Sequence, residues 1–381
     1  MSLVYKYPSV DDLIKKAKSR IPNFVFEYLS GGCNDNIALA KNTTDLRDVE
    51  LRPFYITDHE EPDLRTELFG HVYDLPLGIS PVGLQGLMWP NSPEILAKAS
   101  VKHNIPFVIS TVTTSTIERL SELTEGRAWF QLYHPRENEL RDKILKRVED
   151  AGCPVLVLIS DMPSLGYKPW DMRNGLGLPP KMSLKNILQI LGRPEWLLET
   201  LKYGQPKYAI MEPYMKSLNN QLNFDNKLTE QKIAAIRDKW KGKLVIKGIV
   251  SEEDAEVAVK LGVDGIVVSN HGGRQLDPGP SSIKSVGPIV ENYQGKLTIM
   301  LDSGLRSGPD IARALAAGAE FTFMGRNFMY AVAALGDEGA DHMIECMKIQ
   351  LKQVMEQISC TSVSDLRNHL MTPVSQSMAR A

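Results

Sequence analysis

The stretch of sequence that decides the fold is residues 243–270, KLVIKGIVSEEDAEVAVKLGVDGIVVSN. It opens on an apolar run, Leu244–Lys247, and continues into a segment that Ser251 can cap as a helix and that Gly262 can end. A second apolar run, Gly265–Ser269, follows directly. Two apolar runs joined by a capped helix are typical of a βαβ unit whose parallel strands are buried on both faces.

The same alternation of apolar runs and amphipathic segments extends through most of the chain. The apolar runs that read as strands are Leu75–Val82, Pro106–Ser110, Ala128–Tyr133, Pro154–Ser160, Leu244–Lys247, Gly265–Ser269, Leu297–Leu301 and Phe321–Met324. Eight strand–helix units predict an α/β fold, a (β/α)8 TIM barrel with an N-terminal helical segment and a long loop insert after the fourth strand. A doubly wound open sheet is the alternative. We expect residues 1–371 to form a single barrel with an insert or lid at about 176–222, and residues 372–381 to form a flexible tail.

Composition and charge narrow the class of protein. The chain has 381 residues, 43% apolar and 24% charged, as expected of a packed globular protein rather than a disordered one. Lysine and arginine number 44 against 46 acidic residues, so no nucleic-acid partner is expected. The four cysteines lack metal-ligand spacing, which predicts free thiols and no metal site. Because no segment has the apolar length of a signal peptide or a membrane span, we expect a cytoplasmic protein.

Polar residues and glycines gather where the apolar runs end, which is where barrels of this class carry their chemistry. The residues at these ends are Pro81, Val82, Gly83, Ser110, Gln131, Tyr133, Asp161, Lys247, Ser269, His271, Arg274, Asp302, Ser303, Gly304, Arg306, Gly325 and Arg326. After the last two runs, glycines allow backbone N–H groups to approach an anion, and Arg306 and Arg326 can grip phosphate oxygens. These two ends therefore predict a phosphate site.

His271 is the candidate acid or base, because it follows an apolar strand and precedes two glycines and Arg274. A base and a cation on one loop suit the removal of a proton beside a carboxylate. Asp161, at the end of another strand, can hold the imidazolium once it forms. Lys247 supplies either a fixed positive charge in the barrel mouth or a Schiff-base amine, and its residue type alone leaves both open.

The string Ser269–Asp277, SNHGGRQLD, resembles the active-site signature of the FMN-dependent α-hydroxy acid oxidase/dehydrogenase family. That family includes glycolate oxidase, lactate oxidases and dehydrogenases, and mandelate dehydrogenase. The resemblance covers about residues 8–370, and the segments Ser80–Gly86 and Met88–Pro90 resemble the mandelate dehydrogenases most. It implies FMN as the cofactor and a small-molecule 2-hydroxy acid as the substrate.

The resemblance also implies roles at the substrate. His271 would act as the catalytic base, with Asp161 paired to it. Tyr133 would lie beside the substrate hydroxyl, while Tyr28 and Arg274 would bind the substrate carboxylate.

For the cofactor, the resemblance implies contacts along the whole of FMN. The ring would meet the backbone of Pro81, Val82 and Gly83 near N5, and Lys247 near N1 and the C2 carbonyl. The remaining contacts would be Ser110, Gln131 and Ser269 beside the ring, Asp302 at the ribityl chain, and Ser303, Gly304, Arg306, Gly325 and Arg326 at the phosphate.

The sequence departs from the family pattern around the substrate. Lys168 stands where the family usually carries an arginine, so the grip on the substrate carboxylate loses a bidentate fork. Val112 and Ile159 stand where the glycolate oxidases carry a tryptophan and a threonine. With Gly83, these residues predict a site that is wider and more apolar than one built for glycolate.

The favoured hypothesis is FMN-dependent oxidation of an (S)-2-hydroxy acid with a bulky or aromatic side chain to the 2-oxo acid. His271 is the base, and oxygen or a quinone reoxidises the flavin; hydride and carbanion routes both stay open. The alternative is a flavin-free barrel lyase or aldolase that uses Lys247 on a phosphorylated substrate. A non-catalytic barrel is disfavoured by the complete set of His271, Asp161, Arg274 and Lys247. Because the family is commonly tetrameric, we expect a homo-oligomer, a tetramer.

Residues 184–216 of the insert combine apolar side chains with lysines. One interpretation is a mobile lid whose apolar face packs on the barrel. The other, which follows from the mandelate dehydrogenase resemblance, is a peripheral, monotopic membrane contact with a quinone as electron acceptor.

Overall fold

The computed structural model describes residues 3–58, 60–176, 182–215, 224–225 and 227–371. Within these ranges the strands are β1 (Thr66–Leu68), β2 (His71–Tyr73), β3 (Leu77–Ile79), β4 (Val108–Ser110), β5 (Trp129–Leu132), β6 (Val155–Ile159), β7 (Lys243–Ile249), β8 (Gly265–Val268), β9 (Thr298–Leu301) and β10 (Phe321–Met324). The α-helices are α1 (Leu3–Lys6), α2 (Val10–Arg20), α3 (Asn23–Ser30), α4 (Ile37–Arg47), α5 (Gln85–Met88), α6 (Ser92–Lys102), α7 (Ile117–Leu123), α8 (Asn138–Asp150), α9 (Pro169–Arg173), α10 (Leu184–Leu191), α11 (Pro194–Tyr203), α12 (Glu212–Met215), α13 (Glu230–Lys239), α14 (Glu252–Lys260), α15 (Ser282–Tyr293), α16 (Gly308–Ala316), α17 (Arg326–Leu335) and α18 (Gly339–Ile358). Short 3-10 helices cover Gly336–Glu338 and Val363–His369.

The strands β3–β10 form one parallel sheet in the order β3-β10-β9-β8-β7-β6-β5-β4. The two ends of the sheet meet where Ile79 pairs with Phe107, and the Ile79 N–H donates to the Pro106 carbonyl at 2.8 Å. The sheet therefore closes into a barrel, and the predicted (β/α)8 fold is confirmed rather than the open sheet. Each predicted strand overlaps an observed one, and β10 has the predicted bounds.

The N-terminal helices bring the chain back to the mouth of the barrel. Ser9 and Asp12 form a reciprocal capping box at the start of α2, which satisfies N–H groups that the helix cannot bond internally. Helix α2 packs on α17, and the Arg20 guanidinium donates to the Ala333 carbonyl at 3.2 Å. This packing places α3, which carries Tyr28, beside the carboxyl ends of the strands.

The interior of the barrel is an apolar cluster of its own. Its inward side chains are Val108, Trp129, Val155, Val157, Val245, Val267, Met300, Phe321 and Phe323. The antiparallel β1–β2 hairpin packs into its amino end, with ring distances of 5.7 Å from Tyr73 to Phe321 and 5.7 Å from Phe69 to Trp129. This hairpin was not predicted from the sequence, and its turn places Phe69 and Gly70 at φ 54 and 84. The hairpin fills one end of the barrel and leaves the carboxyl ends of the strands at the other.

The insert after β6 is more regular than the predicted loop, because its described part, 182–215, contains α10, α11 and α12. Many of its apolar side chains face outward. Those that are 46–73% exposed are Leu184, Ile187, Leu188, Leu191, Leu198 and Leu201. The expectation that this apolar face packs on the barrel is wrong for these residues. Trp196, by contrast, is buried, and its indole N–H donates to the Leu87 carbonyl at 3.1 Å.

No helix within the described ranges is both long enough and apolar enough to cross a membrane. The predicted tail, 372–381, lies outside the described residues.

Candidate active site

A cavity of about 510 Å³ opens at the carboxyl ends of the barrel strands. The predicted residues that line it are Tyr28, Pro81, Val82, Gly83, Val112, Gln131, Tyr133, Lys168, Lys247, His271, Arg274, Asp302, Ser303, Gly304, Arg306, Gly325 and Arg326. Asp161, Ser110 and Ser269 lie behind this lining, where each is hydrogen-bonded to a lining residue. The fold therefore brings the residues from separate strand ends into one cavity.

His271 and Asp161 form a hydrogen-bonded pair at this cavity. His271 Nδ1 is 2.9 Å from Asp161 Oδ1, and the aspartate side chain is 11% exposed. Burial alone would raise the pKa of the Asp161 carboxyl, but His271 and Lys247 hold that pKa below its usual value. An ionised carboxylate at Nδ1 fixes the ring tautomer and leaves Nε2 as an acceptor. This is the protonation state that a general base needs.

The backbone around this pair adopts conformations that few side chains allow. His271 has φ 58, in the left-handed region, and the following Gly272 N–H donates to Ser303 Oγ at 2.9 Å. Gly248 has φ 105, and a Cβ there would lie 2.7 Å from Asp161 Cβ. Glycine at position 248 is therefore required for the close approach that positions Asp161.

Lys247 is fixed by the protein itself. Its Nζ donates to Ser269 Oγ at 2.7 Å and lies 3.1 Å from Asp302 Oδ2. The lysine and aspartate side chains are 6% and 8% exposed. Asp302 Oδ2 also accepts a hydrogen bond from Ser80 Oγ at 3.1 Å. The positive charge of Lys247 is thus held in place and balanced before any ligand binds.

A second cationic region contains Arg274 and Lys168. Arg274 Nη1 donates to the carbonyls of Tyr28 at 2.9 Å and Gly31 at 2.6 Å, and its Nη2 is 3.6 Å from Asp171 Oδ2. Lys168 forms no ion pair with any described residue. Burial, together with the charge of Arg274, lowers the pKa of Lys168 to about 8. Asp171 was not predicted from the sequence, although its position on α9, one turn after Lys168, was a usable signal.

The predicted phosphate end combines glycine backbone with two half-buried cations, Arg306 and Arg326. Gly304 has φ 92, and a Cβ there would lie 2.2 Å from the Asn42 carbonyl oxygen, so only glycine fits. Gly325 precedes α17, whose first N–H groups have no partners within the helix. Arg306 is half-buried, and the loss of solvation lowers the pKa of its guanidinium. These features are those of an anion site at a helix N-terminus.

Arg326 has a structural task beside any contact with phosphate. Its Nε, Nη1 and Nη2 donate to the carbonyls of Leu29, Gly272 and Gly31 at 2.8–2.9 Å. These bonds use three of the five N–H donors of the guanidinium and leave two. Burial, and then the charge of Arg274, lower the pKa of Arg326. Arg326 therefore ties the end of α3 to the loop that carries His271.

Position 83 is coupled to position 112. A Cβ on Gly83 would lie 2.7 Å from Val112 Cγ2, so the valine methyl occupies the space that an alanine side chain would need. Ile159 also lines the cavity. The expected widening at Gly83 is thus offset in part by Val112.

The wall of the cavity near Tyr133 is apolar, and several of its residues were not predicted from the sequence. Phe224, where the chain returns from the insert, packs against the Tyr133 ring with a centroid distance of 5.5 Å. Met162 and Leu165 line the same cavity. These three residues lie in segments without a regular pattern, so their sequence gave no signal for the site.

The cavity fits the FMN that the family resemblance implies. Gln131 Oε1 accepts a hydrogen bond from Ser110 Oγ at 2.9 Å, while its Nε2 is buried and has no partner among the residues that the structure describes. A buried amide donor needs an acceptor, and the ring carbonyls and nitrogens of a flavin are acceptors. The fixed cation at Lys247 and the glycine cradle at Gly304 fit the ring and phosphate ends of the same molecule.

Comparison with known sequences agrees with this site. The FMN-dependent dehydrogenase family matches residues 17–373. The L-lactate dehydrogenase of Vibrio parahaemolyticus is 37% identical over 361 residues, which cover 92% of this chain and 94% of that protein. The L-lactate dehydrogenase of Acinetobacter baylyi is 35% identical over 379 residues, which cover 97% and 98%.

Solved structures give the same family. The crystal structure of the monotopic membrane protein (S)-mandelate dehydrogenase superposes with a TM-score of 0.90 at 32% identity, covering 95% of this chain and 98% of that one. Mandelate oxidase superposes with a TM-score of 0.83 at 32% identity, covering 96% and 98%. These matches decide between an oxidoreductase and a flavin-free lyase in favour of the former. The chain belongs to the FMN-dependent dehydrogenase family, as an oxidoreductase that acts on the CH–OH group of 2-hydroxy acids with FMN as its cofactor.

Proposed function

We propose that this enzyme oxidises an (S)-2-hydroxy acid with a bulky or aromatic side chain to the 2-oxo acid, with His271 as the catalytic base. The observation that carries the proposal is the hydrogen-bonded pair of His271 and Asp161 in one cavity with two cations, Arg274 and Lys168. Similar proteins include L-lactate dehydrogenases and mandelate enzymes, so the side chain of the acid is the open variable.

In this mechanism the substrate carboxylate lies between Arg274 and Lys168, where charge-assisted hydrogen bonds orient it. Tyr133 and His271 Nε2 then meet the substrate hydroxyl. Burial, and then the charge of Asp161, raise the pKa of Tyr133, so its phenol stays protonated and donates. His271 takes the hydroxyl proton at Nε2, and Asp161 stabilises the charge that the imidazole gains.

FMN, when bound, supplies the two-electron acceptor for this oxidation. Gln131 and Lys247 would hold its ring, and Gly304, Arg306 and the start of α17 would hold its phosphate. Lys247 would stabilise negative charge on a bound FMN, because its ammonium is already positioned by Ser269 and needs no reorganisation.

The preference for a bulky acid rests on the apolar wall formed by Val112, Met162, Leu165 and Phe224. Each methylene that the substrate buries there contributes about 0.8 kcal/mol, or roughly a fourfold gain in affinity. A two-carbon acid gains none of this.

The test is anaerobic mixing of the FMN-loaded enzyme with glycolate, lactate, mandelate and phenyllactate while flavin absorbance is followed. We expect kcat/KM to rise from glycolate to the bulky acids. The base assignment and the activity fail together if no 2-hydroxy acid bleaches the flavin. The size preference alone fails if glycolate is the best of the four.

We further propose that the exposed side chains of α10 and α11 bind the surface of a membrane on its cytoplasmic side, with a quinone as the electron acceptor. The support is the outward apolar face, which includes Leu188 and Leu191 at 61% and 62% exposed, and the basic residues Lys185 and Lys202 beside it. The structural neighbour (S)-mandelate dehydrogenase is a monotopic membrane protein. Oxygen is the alternative acceptor.

Flotation with vesicles that contain anionic lipid tests the membrane contact. We expect the wild type to float and Leu188→Glu to remain in the soluble fraction. Ile349→Glu is the matched control, because Ile349 is 50% exposed on α18, away from the insert. A wild type that never floats rejects the contact, and anaerobic turnover with a soluble quinone against turnover with oxygen identifies the acceptor.

We also propose a homo-tetramer, the assembly that is common in this family. Sedimentation equilibrium of the holoenzyme measures it, and a monomeric mass contradicts it.

A further inference from the structure

Helix α9 carries part of the carboxylate-binding region and is held by its far end. Lys168 is the residue before its first turn, and Asp171 on the same helix lies 3.6 Å from Arg274 Nη2. At the other end, the buried Asn174 donates from its side-chain amide to Glu27 on α3. A helix of five residues has little stability of its own, so its position depends on such outside bonds.

Helix α10 supplies a second bond to that same end. The Asn186 Nδ2 donates to the Asn174 carbonyl at 2.8 Å, and Asn186 Oδ1 accepts from Ser183 Oγ at 2.9 Å. Asn186 is 1% exposed and Asn174 is 4% exposed. A buried amide with both ends bonded fixes the relative position of the two helices, because moving either would leave a polar group unpaired.

The orientation of α10 makes this bond unusual. Its exposed face is apolar, with Leu184 at 73% and Leu188 at 61% exposed, while Asn186 faces inward. Gln189, one turn after Asn186, accepts a hydrogen bond from the Phe24 N–H on α3 at 2.9 Å. Polar bonds, together with the partly buried Ile190, thus link the inner face of α10 to its neighbours, and Asn186 and Gln189 reach two different helices.

We propose that Asn186 is a positioning residue that acts through Asn174 and α9 to set the distance between Lys168 and the substrate carboxylate. The inference rests on the proposed function, because it concerns how the carboxylate of the same substrate is held. The single ammonium of Lys168 cannot make the two-point contact by which a guanidinium fork aligns a carboxylate. Where it meets that anion is therefore set by where α9 places the Lys168 backbone, which makes α9 a determinant of affinity.

The test compares Asn186→Ala with Gln189→Ala in the FMN-loaded enzyme. We expect Asn186→Ala to raise KM for the 2-hydroxy acid about fivefold, the effect of one hydrogen bond, with kcat within about twofold. KM for the matching uncharged 2-hydroxy amide should not change, because it lacks the anion that Lys168 meets. Gln189→Ala should leave both KM values near wild type, because it removes a bond from α10 to α3 and leaves the bond to α9.

Asn174→Ala is the second variant, since it keeps the carbonyl that Asn186 binds but loses the bond to Glu27. It should raise KM for the acid and leave KM for the amide unchanged, because it loosens the end of α9 through which Asn186 would act. An unchanged KM for the acid in Asn174→Ala overturns the inference, even if Asn186→Ala does not fold. Equal rises in Asn186→Ala and Gln189→Ala, or equal rises for acid and amide, overturn it. If no 2-hydroxy acid reduces the flavin of the wild-type enzyme, the proposed function is overturned instead.

Discussion

Two lysines reach the same cavity in very different surroundings. Lys247 is 6% exposed and is held by Ser269 at 2.7 Å and by Asp302 at 3.1 Å. Lys168 has no ion pair within the described residues, and burial with the charge of Arg274 lowers its pKa to about 8. One region has its counter-charge built into the protein, whereas in the other Arg274 and Lys168 share the carboxylate of Asp171 and keep a positive charge that an anion from outside can balance. A fixed electrostatic element and a binding element therefore share one active site.

The loop after β8 joins the two regions. It begins at Ser269, which holds Lys247, continues through His271, and ends at Arg274 beside Asp171. Variants along this loop and at the two lysines therefore show whether the regions are as separate as their contacts indicate.

The largest effect is expected at His271, between the two regions. His271→Ala should slow flavin reduction by about 10²–10⁴-fold, the usual contribution of a general base, because it removes the imidazole that Asp161 orients as the proton acceptor. Stopped-flow absorbance measures this rate, and the visible spectrum controls for FMN content. A rate within tenfold of the wild type would show that His271 is not the base.

The next effect separates the lysines by stability. Lys247→Met leaves Asp302 as a buried, unpaired carboxylate and should lower the free energy of unfolding by about 3–5 kcal/mol. Lys168→Met breaks no ion pair and should change it by less than about 1 kcal/mol. Urea denaturation of both variants measures the difference. Equal losses would mean that Lys168 has a protein counter-ion after all.

The third effect is on pH dependence. Only the ammonium form of Lys168 attracts the substrate anion, and burial, with the charge of Arg274, lowers the pKa of that ammonium to about 8. Because deprotonation above this pKa removes the positive charge of Lys168, kcat/KM should fall above pH 8, by up to about tenfold per pH unit. Lys168→Arg should remove this alkaline limb, since a guanidinium stays charged. A limb that persists in Lys168→Arg would assign it to another group.

The smallest effect concerns the wall beside the two regions. Val112→Trp should lower the ratio of kcat/KM for mandelate to that for lactate by roughly fourfold per methylene excluded. Gly83→Ala is the matched variant, because its Cβ would press on the same Val112 methyl at 2.7 Å. An unchanged ratio in both would place the substrate side chain elsewhere.

The sequence predicted those parts of the molecule that repeat. The run Phe321–Met324 is a strand with those bounds, and the strand-end residues meet because parallel strands end at one edge of a closed barrel. The hairpin with its turn at Phe69–Gly70 was not predicted, because its strands are three residues long and its turn lacks the usual Asn-Gly signal.

The insert shows a second limit. An amphipathic pattern in α10 indicates an apolar face but does not say which way the face points, and here it points outward at Leu184 and Leu188. For a related reason, the sequence did not predict the roles of Asp171, Asn174 and Asn186. Their hydrogen-bond and ion-pair partners are determined by the long-range packing of α9 and α10, which leaves no local sequence pattern.

The β1–β2 hairpin has a kinetic consequence. Because it fills the amino end of the barrel, the cavity of the described chain opens at the carboxyl ends of the strands. The hydroxy acid, its oxo product and the oxidant must then use one entrance in turn. We expect double-substitution kinetics, with parallel double-reciprocal lines when the concentrations of acid and acceptor are varied. At high concentration, each substrate should inhibit the half-reaction of the other by occupying the shared entrance.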